Sequence, residues 1–589
     1  MSAFNRVVVG LAVAVSLAVP AAAQQGSFTE ATIIHPRPFD TEGQPHAAPS
    51  QGVGEMKTMA IWQDWMFALS IRVYSNFPLV QEYVVRVFRR TETGWEFAQD
   101  LVSPEPEGDV WSRFGAYFEV ADGMVCIAAP FAGSQGGTVH SDGRVYTYVL
   151  NQGAWVHKQI LRAPFVQRPF PENTEFGKGL SFDGSRMACG DPWMRFPGVL
   201  GTGRALVFVR NAEDFFELEA ILDLPSSQST NAVVPKEFGR NTRIRGEDLF
   251  ISMQGSPGGV QHFQLVGGNW ELQDEVLQPT SAPQNFADGM DYNAGRLAVS
   301  SQRAGIGFSS PYDYIRTYLH LPGGGWQFEQ EITVSGPGVN PSNFPGFGKS
   351  LVLTGDYLVA GAPYAGPAVP VPGMMQEGRI FAFKHGGQGW SLLQQFHHSD
   401  SNDVGPNVVG LGAIGASLAL DPEFGQLVAN TPGFTQFDVG YPGTELNGGI
   451  YVFDLELGDW ACNPTPPAGV QAGQLSAIGS ATLADHNLRL HAHHLPGGAP
   501  VIFLAGQPHP AMAFGTHSSL CLGGPQGINR LGTLGATTQA GEAFHELDFA
   551  SSGHASIWAA GMPWSFQAWY REPGQAAELT NAVEVTWLP

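Results

Sequence analysis

The sequence is poor in charge, and poorest in positive charge. Asp, Glu, Lys and Arg make up 14% of its 589 residues, against roughly 25% in an average soluble protein. Lys and Arg number 30 against 53 Asp and Glu, a formal charge of −23. A nucleic-acid or anionic-membrane partner is excluded, because the dominant electrostatic interaction would be repulsive. Beyond the first twenty residues no apolar run approaches the 18 or so that a membrane-spanning helix needs, so no transmembrane segment is predicted. Gly-x-Ser-x-Gly elbows, His-Glu-x-x-His helices and phosphate loops are missing, and His545-Glu546 lacks a second histidine. What is abundant is glycine (74), proline (43) and phenylalanine (38), within a composition that is 43% hydrophobic. Low charge, many glycines and many aromatics suit an all-β chain of short strands and tight turns, long enough for two or more cores.

The N-terminus reads as a signal peptide over residues 1–23. Arg6 is its charged flank, Val7 to Val19 its apolar run, and Ala21-Ala-Ala23 its small-residue cleavage site. The mature chain is expected to begin at Gln24, and the product to be exported: secreted, held at the cell surface or periplasmic. No cysteine follows the cleavage site, as a lipoprotein would need. Only four cysteines occur. Cys126 and Cys189 lie inside hydrophobic strand patterns and read as small buried hydrophobes. Cys462 and Cys521 sit in the last 130 or so residues beside Gly- and Pro-rich turns, and are the expected disulfide pair.

Internal repetition dominates the rest. The cleanest unit runs Phe347-Gly-Lys-Ser-Leu-Val-Leu-Thr-Gly-Asp-Tyr-Leu-Val-Ala-Gly-Ala-Pro363, then Gly378-Arg-Ile-Phe-Ala-Phe383, then Trp390-Ser-Leu-Leu-Gln-Gln-Phe396. Each piece is a short β-rich run bounded by glycine, so one unit makes four strands. The frame from Phe to Pro spans 16 residues at Phe114–Pro130, Phe176–Pro192 and Phe347–Pro363. Phe238 and Phe286 open further copies, Ile414-Gly415 another, and Met59–Ala68 a degenerate first one. That makes seven units. Fourth strands open at Trp95, Trp155, Phe216, Trp270, Trp326 and Trp390, but none follows the seventh third strand, Ile450–Phe453. Phe28-Thr-Glu-Ala-Thr-Ile-Ile34 looks like Phe216–Leu222 and is expected to supply that missing strand, closing a ring without an open edge. Seven four-stranded units closed in this way predict a seven-bladed β-propeller over residues 24–460. A linear solenoid is the alternative; it usually has shorter repeats and gives no reason for the displaced strand.

The units resemble FG-GAP repeats, the blades of the integrin α-subunit propeller and of many bacterial secreted proteins. The resemblance covers about residues 27–457 and is most specific in units two, three and six. It implies an extracellular recognition role. Integrin-type blades often carry an Asp-rich calcium loop between strands one and two, and here the sequence departs. The hairpins are two or three residues, as at Ala121-Asp-Gly123, too short to supply calcium's oxygens. Asp288-Gly-Met-Asp291-Tyr-Asn293 comes nearest and is incomplete. No cofactor is expected.

Residues 461–589 break the period and alternate over short runs, among them Trp564-Ser-Phe-Gln-Ala-Trp-Tyr570, which puts Trp564, Phe566, Ala568 and Tyr570 on one face. A small antiparallel β-sandwich is predicted. This segment also resembles a C-terminal module of secreted proteins from environmental bacteria, through Cys462, Phe514-Gly…Cys521-Leu-Gly-Gly524 and Trp564–Pro573. The resemblance implies an architecture and no activity. Within it His486, His491, His493 and His494, with His509 and His517, form the sharpest metal candidate. His491 and His493 share a strand face. No carboxylate or cysteine stands at ligand spacing, so the preferred reading is solvated polar positions and no metal. His397-His398 with Asp400 and Asp403 reads as a surface loop.

Three function classes follow. The leading one is a non-catalytic binding or adhesion-type protein whose propeller face recognises an extracellular protein or glycan. The others are a secreted enzyme acting on polysaccharide in the propeller channel and a structural envelope component. The long connections between strands two and three, about Phe131–Asp142, Trp193–Gly203, Arg303–Tyr314, Tyr364–Glu377 and Phe434–Asn447, fall on one rim. Their aromatics Trp193, Phe196, Tyr364, Phe434 and Tyr441 are the candidate ligand-binding residues, the alternative being that these rings fold back over the blade edges and cover the core. No catalytic residue is assigned, and the oligomeric state is left open.

Overall fold

A computed structural model of the chain describes residues 27–34, 46–47 and 58–587, apart from 77–78, 92–93, 106–111, 134–141, 165–174, 195–202, 225–236, 255–257, 278–284, 303–312, 322–323, 335–345, 355–356, 364, 366–377, 387–388, 397–413, 422–425, 431–449, 458, 463–471, 479–487, 526, 539–540, 542, 548–561 and 573. The signal peptide expected over 1–23 lies outside them. Among the described residues the regular elements are all strands. The chain divides into two compact units, Phe28–Leu455 and Glu456–Pro589.

The first unit is built of antiparallel meanders, and the predicted four-strand period is visible in each. After β1 (Ser27–Ile34) and the short β2 (His46–Ala47), the first sheet holds β3 (Met59–Trp62), β4 (Trp65–Asn76), β5 (Leu79–Thr91) and β6 (Gly94–Leu101). The second holds β7 (Tyr117–Ala121), β8 (Met124–Ala129), β9 (Arg144–Asn151) and β10 (Ala154–Leu161). The third holds β11 (Lys178–Phe182), β12 (Arg186–Asp191), β13 (Arg204–Arg210) and β14 (Phe216–Asp223). The fourth holds β15 (Thr242–Arg245), β16 (Asp248–Met253), β17 (Gly259–Val266) and β18 (Asn269–Leu277). The fifth holds β19 (Asn285–Asn293), β20 (Arg296–Gln302), β21 (Tyr314–His320) and β22 (Trp326–Ile332). The sixth holds β23 (Leu351–Leu353), β24 (Tyr357–Ala362), β25 (Arg379–Gly386) and β26 (Gly389–Phe396). A last set pairs β27 (Leu418–Asp421), β28 (Gln426–Asn430) and β29 (Ile450–Leu457), and β1 pairs with β29, where the sequence leaves a strand wanting.

First strands of consecutive sheets adjoin: β3 with β7, β7 with β11, and so on to β23 with β27; β27 in turn adjoins β3. At that last junction the Thr58 amide donates to Ser417 Oγ at 3.0 Å, and Asn430 Nδ2 donates to Thr58 Oγ1 at 2.8 Å.

The recurring Phe-Gly has a physical cause in these junctions. Phe114, Phe176, Phe238, Phe286 and Phe347 are all buried, and three of them pack on third-strand rings: Phe114 on Tyr146, Phe176 on Phe208 and Phe347 on Phe381, at 5.3, 6.2 and 5.4 Å. The glycine after Phe238 is left-handed (φ +90°), and the second-strand glycine of the preceding sheet lies against it. A methyl group built on Gly190 would overlap the Gly239 carbonyl oxygen. The backbones therefore touch where sheets meet, and side chains at either position would force them apart. A single parallel bridge, Gly203 with Phe238, fastens the same corner; Gly143 with Phe176 and Gly378 with Ile414 repeat it.

The outer pairs share a second device. In each of the six described, the register shifts by one residue, at Ala98, Lys158, Glu219, Gln273, Glu329 and Leu393. Such bulges twist an edge strand away from further pairing.

In the second unit, β30 (Asp459–Ala461), β33 (Pro500–Phe514), β34 (Ser518–Gly523), β35 (Asn529–Ala536), β37 (Pro563–Arg571), β38 (Ala577–Leu579) and β39 (Ala582–Thr586) form one sheet. In another, β31 (Gln474–Ile478), β32 (Arg489–His493) and β36 (Ala543–Glu546) pair in that order. The Cys462–Cys521 disulfide is present, with Cα atoms 6.3 Å apart, while Cys126 and Cys189 are free and buried. The alternation read along residues 564–570 is only half of the pattern. Trp564, Phe566 and Ala568 are buried, but so are Ser565 and Gln567 between them. Gln567 is affordable there because its amide is fully used: it accepts from the Cys521 amide at 2.8 Å and donates to the Ser519 and Thr580 carbonyls at 2.9 and 3.0 Å.

Candidate functional site

In every meander of the first unit, strand one begins, strand two ends and strand three begins at the same edge. Lys178, at the start of β11, pairs in register with Gly190, three residues before Trp193. The described start of the third sheet's long connection, Trp193 and Met194, therefore lies near the residues that follow Phe176-Gly177. Of the expected binding aromatics, Trp193 is described and is half-buried, beside fully buried Met194. Phe196, Tyr364, Phe434 and Tyr441 lie outside the described residues, as do His397, His398, Asp400 and Asp403. Of the connections themselves, Phe131–Gly133 is described, and Arg113 lies over the Phe131 ring at 4.7 Å.

At this edge the first strands enclose a cavity of about 110 Å3, lined by residues from β7, β11, β15, β19, β23 and β27 and the turns that lead into them. Its walls carry Asn241, Thr242, Ser350 and Ser417, and its charged groups are Glu119, Arg240, Arg243, Asp288 and Lys349. The residue after the Phe-Gly of the third, fourth and sixth sheets, and after Phe286-Ala287 of the fifth, is charged, and Arg240, Asp288 and Lys349 among these line the cavity. Lys178 pairs with Glu175 at 2.7 Å, Arg240 with Glu237 at 2.6 Å, and Asp288 with Lys349 at 2.7 Å and Arg240 at 3.7 Å. Burial would raise the Asp288 carboxyl, but Lys349 and Arg240 outweigh it and hold it below the usual carboxylate range.

Deeper, Arg243 from β15 reaches past β11 to Glu119 on β7 (Nη1 to Oε1, 2.7 Å) and binds Asp291 on β19 through Nε at 2.5 Å. Burial opposes its charge, yet these two carboxylates raise its pKa above the ordinary arginine value. Asp291 is spent further: Oδ1 accepts from the Tyr292 amide at 2.8 Å and Oδ2 from the Leu353 amide at 2.7 Å. Asp288 and Asp291, the nearest approach to a calcium loop, are thus held by cationic side chains.

Between sheets, a polar linkage recurs that sequence reading missed. Gln99 exchanges two hydrogen bonds with the backbone of Trp155 on the next sheet, donating at 3.0 Å and accepting at 2.8 Å. Gln159 does the same with Phe216, and Gln330 with Trp390. Glu219 binds Arg186 of its own sheet at 3.0 Å and accepts from Trp270 Nε1 of the next at 2.9 Å. Glu329 repeats this with Arg296 and Trp390, at 3.3 and 3.2 Å. The signal was available: Gln99, Gln159 and Gln330 each stand four residues after Trp95, Trp155 and Trp326.

The histidines of the second unit differ from the expected solvated set. His491 and His493 are half-buried, with ring centroids 5.0 Å apart, and His494 is exposed. His491 stacks on Phe544 at 4.3 Å, and Ser476 Oγ lies 3.3 Å from His493 Nε2. Burial first, then the neighbouring cationic partners, lowers His491 to about 3 and His493 to about 4. His509 and His517 stand apart from this group, on β33 and just before β34, and His486 lies outside the described residues.

No family model and no curated protein matches the chain. Among solved structures it is similar to a chain of the mitotic checkpoint complex, with 10% identity over 76% of this chain and 99% of that one at a TM-score of 0.39. It is also similar to Sqt1 of Saccharomyces cerevisiae, with 9% identity over 80% of this chain and 98% of that one at a TM-score of 0.34.

Proposed function

We propose that the protein is an exported, non-catalytic binding protein: a seven-bladed propeller of FG-GAP-like repeats, followed by a small β-sandwich, that recognises an extracellular glycan or protein through the rim bearing the long strand-two-to-three connections. The observation that carries this reading is the state of the charges in the cavity at that rim. Its carboxylates converge, as an active site's would, but Asp288, Asp291 and Glu119 are each tied to arginine or lysine. A carboxylate locked in an ion pair is a poor general base, and one held below its usual range, as Asp288 is, is no acid at neutral pH. Such an arrangement suits a rigid recognition surface. The propeller supports it through the ring of adjoining first strands, the pairing of β1 with β29, and glycine junctions that leave little freedom between sheets. The disulfide is compatible with passage through an oxidising compartment.

The test is a glycan and protein array probed with the chain from Gln24, followed by Trp193→Ala on any ligand found. Binding that falls at least tenfold while the melting temperature moves by less than about 2 °C supports the reading. Turnover of an array polysaccharide, or binding that survives changes at the rim, overturns it.

A further inference from the structure

Two cationic side chains in the rim cavity have N–H groups that its carboxylates do not meet, while Asn241 Nδ2 and Thr242 Oγ1 spend their protons on backbone carbonyls. Lys349 Nζ has three N–H groups and a single partner, Asp288 Oδ2 at 2.7 Å. Arg243 spends Nε on Asp291 and Nη1 on Glu119, and its Nη2 has no hydrogen-bond partner among the described residues. The aspartate acceptors are committed instead. Asp291 takes three bonds, Asp288 is shared by Lys349 and Arg240, and Ser417 Oγ accepts from the Thr58 amide. Ser350 Oγ donates to the Gly415 carbonyl at 2.6 Å, so its hydroxyl proton is used as well. A cavity of this kind asks its occupant for oxygen lone pairs. Of the charged side chains that line it, three are cations (Arg240, Arg243 and Lys349) and two are carboxylates (Glu119 and Asp288), in a chain where acids outnumber bases.

We propose that the cavity binds the carboxylate of a small hydroxylated acid, of the uronic-acid type found at the ends and branches of acidic glycans. Lys349 and Arg243 Nη2 supply the charged donors, and the polar wall of Asn241, Thr242, Ser350 and Ser417 faces the ring hydroxyls. A cavity of about 110 Å3 has room for about four waters, which the carboxylate end of one sugar unit would displace. Larger glycan would lie outward across the rim, so the inference rests on the reading of that rim as the recognition face and names its ligand class.

The experiment is calorimetric titration of the chain from Gln24 with D-glucuronate, D-galacturonate, glucose, acetate and inorganic phosphate, one at a time. Uronates are expected to bind, with glucose and acetate each at least tenfold weaker. Lys349→Met should weaken uronate at least tenfold and Lys349→Arg less than threefold. Should Lys349→Met not fold, acetylation of the unaltered protein serves instead: saturating uronate is expected to slow modification of Lys349 at least fivefold, with Lys158 unaffected. Equal affinity for glucose and uronate, tighter binding of phosphate than of uronate, or unprotected Lys349 overturns the proposal. Array binding to neutral glycans or proteins with no uronate binding overturns it while leaving the rim reading intact. Uronate binding with a blank array upholds the cavity and sinks the rim reading.

Discussion

The two units are both all-β, but they are held together differently. Phe28–Leu455 makes each contact several times over. A buried Phe, a pair of touching glycines, a bulged outer strand and a Gln or Glu linkage return from sheet to sheet. Its two described cysteines stay free, with burial pushing both thiols up. The described contacts of Glu456–Pro589 are single ones: one disulfide, one Gln567 joining β37 to β34 and to the turn at Thr580, one Asn581 that accepts from and donates to Leu475 at 2.7 and 2.9 Å. Trp564 and Trp587 are fully buried there without a repeated partner. A repeated contact can be lost in one copy while its neighbours hold. A unique contact has no understudy.

The largest effect expected from this difference follows loss of the disulfide. Cys462 and Cys521 are 59 residues apart, and closing a loop of that length is worth about 4 kcal/mol in the chain-entropy model. Cys521→Ser should lower only the transition belonging to the second unit in calorimetry, while that of the first unit stays in place. A single transition that moves as a whole would show that the two units unfold together.

A glycine junction should cost nearly as much, in the other unit. Gly190→Ala drives a methyl group into the Gly239 carbonyl of the adjoining sheet, and two backbones must separate to admit it. About 3 kcal/mol is expected. Gly153→Ala is the control: its φ is +83° but nothing lies within 4 Å of the added atom, so backbone strain of about 1 kcal/mol is the whole cost. A loss at Gly190, which has no left-handed backbone, no larger than that at Gly153 would mean that inter-sheet contact does not explain the recurring glycines.

Acid separates the units in a third way. His491 and His493 are lowered from 6.5 to about 3 and about 4. The unfolded chain therefore binds protons first, so the stability of the second unit is fully present above pH 6.5 and is lost as pH falls towards 4. With partial exposure discounted, the pair is worth about 2 to 3 kcal/mol at pH 5. Melting at pH 7.5 and pH 5 should show that loss in the unaltered chain and less than half of it in a His491→Gln, His493→Gln double variant. An undiminished pH dependence in the variant places the acid sensitivity elsewhere.

The same contrast explains what could be read from the sequence. Repetition writes its own key: seven copies of a frame turn a common dipeptide into a position, and the four-strand meanders follow. The interior of the cavity has no such key. Arg243 and Glu119 are 124 residues apart, and no local pattern says that one reaches past β11 to the other. The residues after Phe-Gly did carry a signal, since Lys178, Arg240 and Lys349 are cationic in a chain short of cations. Attention to aromatic residues in the loops passed over it. In the second unit, period-two alternation told which residues of β37 share a face but not that both faces are covered, because burial of Ser565 and Gln567 depends on partners distant in sequence.

The smallest effect expected is the most diagnostic of closure. Gln159→Ala removes two hydrogen bonds to the Phe216 backbone and leaves a half-buried amide and carbonyl to find water; about 1 to 2 kcal/mol should be lost. Gln99→Ala and Gln330→Ala should match it within about 0.5 kcal/mol, since the geometry at Trp155 and Trp390 is the same. Gln394 stands in the register of these three, four residues after Trp390, on the sheet that precedes the one to which β1 belongs. By that register its amide is expected to serve the backbone of Phe28. Gln394→Ala should then cost as much as the others in stability and, unlike them, speed proteolysis near residue 28, because β1 is separated in sequence from the strand it pairs with. The readout is limited proteolysis with mass-spectrometric mapping of the first cut. If Gln394→Ala and Gln159→Ala are cut at the same sites and rates, β1 is held by its ladder with β29 alone, and the linkage ends at the sixth sheet.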